Sequence, residues 1–233
     1  MILYICENVK NAKWRKNISN DKKLSLAFVK KCICNFIGER ENAVEIEFSK
    51  TEYGKPYVES IYKLINKSGD DKIKMDIPLF FSLSHSGNMM ICAVACFNIG
   101  ADCQKINIED VENCIKIAKR FYSEEENIFL SSILYSDDYE DSDREQEYIS
   151  NFFKIWTKKE AYVKYTGKGL AEGLGTFSVA DEENQKNHCG DVCFRRITPV
   201  KSRIIKKSEG NKFYIYLCYN KQNKNILEIK YVY

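Results

Sequence analysis

Phe80-Phe-Ser-Leu-Ser-His-Ser-Gly-Asn-Met-Met-Ile-Cys-Ala-Val-Ala-Cys-Phe97 reads as two strand-like runs folded about Ser86-Gly87-Asn88. So short a polar, glycine-bearing break between two such runs makes a β-hairpin. Ile99 to Gln104 follows at once as another short strand. Strands in series joined by tight turns, with helices grouped elsewhere, point to an α+β chain.

Working toward the start, Tyr53-Gly-Lys-Pro-Tyr57 is a turn, and the stretch after it to about Asp76 reads as a polar excursion with some helical character. Ala43 to Phe48 alternates with period two, as a half-buried strand does. From Asp21 to Ile37, residues Leu24, Ala27, Phe28, Cys32, Ile33, Phe36 and Ile37 share a helical face, and Gly38 stops the helix. Ile2 to Cys6 is a strand. Toward the other end, Glu109–Tyr122 and Ser123–Leu134 read as helices, and Ser123 with Glu126 matches a capping box. Ser136 to Glu147 is acidic and is predicted as a mobile loop. Asn151–Tyr165 is a helix closed by Gly167 and Gly169. Strands are predicted at Thr176–Ala180, Val192–Ile197, Phe213–Tyr219 and Ile226–Tyr233. This order suggests two α+β halves of similar size, residues 1–100 and 101–233.

Composition narrows the function classes. The 36 basic residues barely exceed the 33 acidic ones, and a net charge of +3 argues against a dedicated nucleic-acid binder while leaving room for a local phosphate pocket. The rival patch for nucleic acid is Lys201, Arg203, Lys206 and Lys207. Met89 to Phe97, the longest apolar run, is too short to cross a bilayer, and the opening residues lack a basic segment and an apolar core of signal-peptide length, so a cytoplasmic protein is expected. The 10 cysteines form no paired CxxC arrangement, and His188 beside Cys189 is a weak metal hint; most are expected to be buried thiols. Neither GxGxxG nor GxxxxGK[ST] occurs.

Three segments carry the chemistry. In Phe153-Lys-Ile-Trp-Thr-Lys-Lys-Glu-Ala-Tyr-Val-Lys-Tyr-Thr-Gly-Lys-Gly-Leu170, residues Trp156, Glu160 and Lys164 lie four apart and share a helix face. One acid among Lys158, Lys159, Lys164 and Lys168 suits a magnesium–phosphate site, although a surface ion pair would use the same spacing. In Ile99-Gly-Ala-Asp-Cys-Gln104, residues Asp102 and Gln104 point to the same side of a strand, so both oxygens reach toward one cation or simply line an exposed strand end. Phe81-Ser-Leu-Ser-His-Ser-Gly87 holds His85, one of only 2 histidines. A Ser-His-Asp hydrolase built on Ser84 or Ser86 lacks the expected G-x-S-x-G elbow.

Taken together these segments resemble the 4′-phosphopantetheinyl transferase superfamily, in its long monomeric branch of the surfactin-synthetase-activating type. The resemblance rests on Gly54-Lys55-Pro56, Ser84-His85-Ser86, Gly100 through Asp102 to Gln104, Arg120-Phe-Tyr-Ser123, Trp156 with Lys159-Glu160-Ala161, Lys164, and Gly167-Lys-Gly-Leu170. It implies a pseudo-dimer of two similar α+β halves with antiparallel sheets and coenzyme A in the cleft between them. It implies transfer of 4′-phosphopantetheine to a serine of an acyl, peptidyl or polyketide carrier protein, with magnesium. Asp102, residue 104 and Glu160 would hold magnesium; Lys55, Pro56, Ser84 and His85 would contact coenzyme A; Lys159 and Lys164 would bind phosphate or support proton transfer. Lys23, and Arg15 or Lys16 before it, are the candidates for holding the 3′-phosphate. Glu160 and Lys164 are the catalytic candidates. One departure stands out: Gln104 occupies a position where the family places an acid, which predicts weaker magnesium binding and leaves a non-catalytic coenzyme A- or carrier-binding relative as the alternative.

Overall fold

A computed structural model of the chain describes residues 1–12, 21–66, 71–106, 111–135, 141–180, 190–198, 213–223 and 227–233. It is an α+β protein whose described strands form three sheets, and all but one of their pairings are antiparallel. The first sheet runs β10 (Glu228–Tyr231), β1 (Ile2–Cys6), β6 (Met89–Ala95), β5 (Phe80–Ser86). The predicted hairpin is its β5–β6 pair, turning at Gly87 with φ +57°. The exception is β10, which returns from the far end of the chain to lie parallel to β1, Ile2 opposite Glu228.

The two faces of this sheet bury different things. Tyr4, Cys92 and Val94 face α1 (Asp21–Ile37), whose apolar stripe of Leu24, Phe28, Cys32 and Ile33 closes one core. Leu3, Ile5, Ile91 and Ala93 face the third sheet, β7 (Ile99–Lys105), β9 (Phe213–Asn220), β8 (Val192–Arg196), across a second core with Ala101, Ile215 and Leu217. On the opposite side of the third sheet lie α2 (Val111–Phe121), α3 (Glu124–Leu134) and α4 (Asp141–Thr166). Their core includes a stack of Tyr122, Phe152 and Trp156.

Several sequence expectations need correcting. The polar stretch after Tyr57 is neither helical nor an excursion: β3 (Pro56–Leu64) and β4 (Lys72–Met75) form a three-stranded sheet with β2 (Val44–Lys50). Its residues are polar because much of that small sheet faces solvent. The acidic stretch from Asp141 is not a loop; it begins α4. Tyr148 and Ile149, about two turns in, hold this part of α4 to the core, and an acid such as Asp143 suits the positive end of a helix dipole. Residues 136–140 lie outside the described residues, as do Arg15, Lys16, His188, Cys189 and the basic patch from Lys201 to Lys207. Thr176–Ala180 is not a strand: a 3-10 turn over Leu174–Thr176 leads into extended chain bonded by side chains of α3 and α4. No described cysteine is in a disulfide. Among the described residues, no helix is long and apolar enough to cross a membrane.

Candidate active site

The site forms where α4 lies against β7. At Gly100, a Cβ would run into the carbonyl oxygen of Ala161 and lie 2.5 Å from the Tyr165 amide nitrogen. Glycine at this strand position therefore lets the helix backbone seat directly on the strand. Two residues further along β7 stands Asp102, 5% exposed. Its Oδ1 accepts hydrogen bonds from Ser84 Oγ and Lys164 Nζ, both at 2.6 Å. Glu160, one turn before Lys164, faces the same space.

That space is a cavity of about 430 Å³ lined by Ser84, His85, Asp102, Gln104, Glu160 and Lys164, with Ser25 and Trp156 at its margin. Burial pushes the Glu160 carboxyl above its usual range; the nearby Asp102 charge adds to this and the Lys164 ammonium opposes it. Two carboxylates thus converge where one cation offsets only part of their repulsion. Among the described residues, no three His, Cys, Asp or Glu side chains gather into a metal cluster. Magnesium does not require three: it takes one or two protein carboxylates and fills its octahedral shell with amide oxygens, waters and substrate phosphates. Asp102, Glu160 and the Gln104 amide fit that donor set.

A second cavity, about 450 Å³, adjoins the first through Leu83, Glu160 and Lys164 and is mostly apolar. Lys55, Pro56, Phe81, Gly167 and Leu174 line the rest. Lys55 also holds the end of α4. Its stem lies against Gly167, where a Cβ would approach Lys55 Cδ to 2.8 Å, and its ammonium donates to Asn98 Oδ1 (3.0 Å) and the Tyr165 carbonyl (3.1 Å). It therefore caps the carboxyl end of α4, where a positive charge suits the helix dipole. Burial lowers its pKa to about 8.

Not every predicted residue reaches these cavities. Lys159 is wholly buried; its ammonium meets Glu126 Oε2 at 2.7 Å and donates to the carbonyls of Leu174 (2.7 Å) and Phe177 (2.6 Å). Glu126 also closes the capping box with Ser123 and accepts from the Val179 amide. The pair ties α3, α4 and the segment after Gly173 together inside the protein, so the structure does not bring Lys159 to the cavity. Lys23 is exposed on α1, while its neighbour Lys22 and Ser25 line an adjoining groove of about 540 Å³. Ser25, which borders both this groove and the acidic cavity, was missed by the sequence reading; a small polar residue on the same helical face as Phe28, Val29 and Cys32 was the available signal.

An α+β scaffold thus sets two carboxylates, an amide and a lysine around one cavity, beside a mostly apolar second one. The model of the 4′-phosphopantetheinyl transferase superfamily matches residues 98–218, more than half of the chain, and the chain belongs to that superfamily. It is 31% identical over 140 residues to the 4′-phosphopantetheinyl transferase gsp of Aneurinibacillus migulanus, covering 60% of this chain and 46% of that protein. It is 36% identical over 136 residues to the 4′-phosphopantetheinyl transferase Sfp of Bacillus subtilis (strain 168), covering 58% and 47%. With the HetI transferase of Nostoc sp. (strain PCC 7120 / SAG 25.82 / UTEX 2576) the identity is 38% over 96 residues, covering 40% and 35%. The likeness to gsp and Sfp matches the surfactin-synthetase-activating branch expected from the motifs. The match spans about half the length of these curated relatives or less.

Proposed function

We propose that this chain transfers the 4′-phosphopantetheine group of coenzyme A to a serine of an acyl, peptidyl or polyketide carrier protein, releasing 3′,5′-ADP. The observation that carries this reading is the meeting of Asp102, Glu160 and Lys164, from β7 and α4, at one cavity that Ser84 and His85 of β5 also line. The two adjoining cavities give coenzyme A room for its nucleotide and its diphosphate together. Residues 1–100 and 101–233 then act as the two halves of a pseudo-dimer with the substrate between them, in a cytoplasmic monomer.

A serine hydroxyl is a weak nucleophile at neutral pH and needs a base. Glu160 suits that role because burial and Asp102 raise its proton affinity. It takes the hydroxyl proton as the serine oxygen forms a bond to the phosphorus that carries the pantetheine arm, and the bond to the ADP oxygen breaks. Lys164 neutralises charge on the diphosphate and the leaving phosphate, and His85 offers them a hydrogen bond. Asp102, Gln104 and Glu160 would hold magnesium, which supplies charge neutralisation at the diphosphate. Ser84 fixes the orientation of Asp102 throughout.

Mass spectrometry of an apo carrier protein incubated with this protein, coenzyme A and magnesium tests the reading. A gain of about 340 daltons, the phosphopantetheine arm, is expected, and Glu160→Ala abolishes it. Coenzyme A binding with no mass gain on any of the three carrier types would instead establish a non-catalytic relative.

A further inference from the structure

The inner face of the first sheet changes character at its last strand. Met89, Ile91 and Ala93 of β6 are apolar, yet their cross-strand partners on β5 are Ser86, Ser84 and Ser82. These three serines alternate along one side of β5, so all three face the third sheet. There they meet β7, the edge strand of that sheet. Ser82 Oγ accepts from the Ala101 amide at 2.9 Å and faces the Ala101 carbonyl at 3.4 Å. Ser86 Oγ accepts from the Lys105 amide at 3.0 Å. Between them Ser84 reaches the Asp102 carboxylate.

An edge strand buried against another layer carries backbone groups that need partners. Here hydroxyls on one face of β5 do for β7 what a neighbouring strand would do. The two outer contacts bracket Asp102 and Gln104, and they fix how far β7 slides along β5.

We infer that Ser82 and Ser86 are positioning residues for the transfer reaction: they set the register of β7 against β5, and through it the placement of Asp102 and Gln104 relative to His85. The inference rests on the transferase reading of the same site. Neither serine is needed as a ligand. Ser86 borders neither of the two cavities of the proposed site, whereas Ser82 is on the wall of the larger one.

Four variants test it: Ser82→Ala, Ser86→Ala, Ser86→Thr to keep the hydroxyl, and Ser60→Ala as another buried serine outside the seam. Amide hydrogen exchange on the protein alone reads the seam directly. Calorimetric Mn²⁺ titration in the presence of coenzyme A, and the magnesium concentration for half-maximal carrier loading, read the site. Ser82→Ala and Ser86→Ala should speed exchange at Ala101 and Lys105 respectively by at least about tenfold, each loosening one end of β7. Both should weaken Mn²⁺ binding and raise the magnesium requirement several-fold, with Ser86→Thr at wild-type values and Ser60→Ala unchanged.

If only Ser82→Ala alters ion binding, that serine acts by touching substrate and the seam inference falls. It falls equally if exchange accelerates while ion affinity and magnesium requirement stay put, or if Ser60→Ala matches the seam variants. Wild-type protein that binds no Mn²⁺ with coenzyme A and loads no carrier would overturn the transferase reading itself, and the inference with it.

Discussion

Replacing Lys159 with methionine separates two roles that the sequence offered for one lysine. The ammonium and its partner Glu126 are both fully buried and 2.7 Å apart. Methionine keeps most of the stem's bulk but leaves the Glu126 carboxylate without its cation and the Leu174 and Phe177 carbonyls without their donor. Removing one partner of a buried ion pair costs about 3–5 kcal/mol. For a chain of this size each kcal/mol lowers Tm by about 2–4 °C, so the expected fall is about 6–20 °C. Adding Glu126→Gln to Lys159→Met should recover part of it, since the uncompensated charge is gone. Differential scanning fluorimetry measures the shift, and carrier loading at a temperature where both proteins are folded measures the rest. If Lys159→Met melts within about 2 °C of wild type yet transfers nothing, the lysine faces substrate and the burial argument is wrong.

Gly100→Ala forces a methyl group into the Ala161 carbonyl, so α4 must lift from β7; a loss of about 3 kcal/mol, the upper end for overpacking, should appear in urea denaturation. Gln104→Glu adds a charged oxygen beside Asp102 and Glu160, and should lower the magnesium concentration for half-maximal loading; an unchanged or higher requirement counts against Gln104 as a ligand. For Lys55, folding lowers the pKa from 10.5 to about 8, so the unfolded chain holds a proton that the folded chain releases between those values, and this group's contribution to stability rises with pH across that window. An NMR titration of isotope-labelled lysine should find one ε-signal with a midpoint near 8; a midpoint near 10.5 for Lys55 refutes its burial.

The parts of the fold legible in the sequence were those written in local pattern. The apolar face of α1, the turn at Gly87 and the Ser123–Glu126 cap are each complete within a few residues. The juxtaposition of Asp102 with Glu160 was legible only through the resemblance, because nothing in either segment says that the other packs on it. Afterwards the reason is plain: Gly100 and Ala161 remove the side chains that would hold β7 and α4 apart. β3 and β4 were missed because most of their residues keep contact with solvent, so neither strand has a buried face whose apolar residues would mark every second position. Lys159 was misjudged because a lysine usually marks a solvated face; its partner comes from a different helix. The capping-box glutamate was the hint, since one carboxylate has more oxygen lone pairs than a helix end needs.

The parallel pairing of β10 with β1 has a bearing on synthesis. β1 is synthesised long before its outer neighbour, which comes from residues 228–231. Until those residues emerge, β1 presents an open flank to other nascent chains, and so early an element waiting on so late a one is a slow step in reaching the native state. Removing residues 228–231 would therefore harm assembly of a region that, by position in the message, was finished long before.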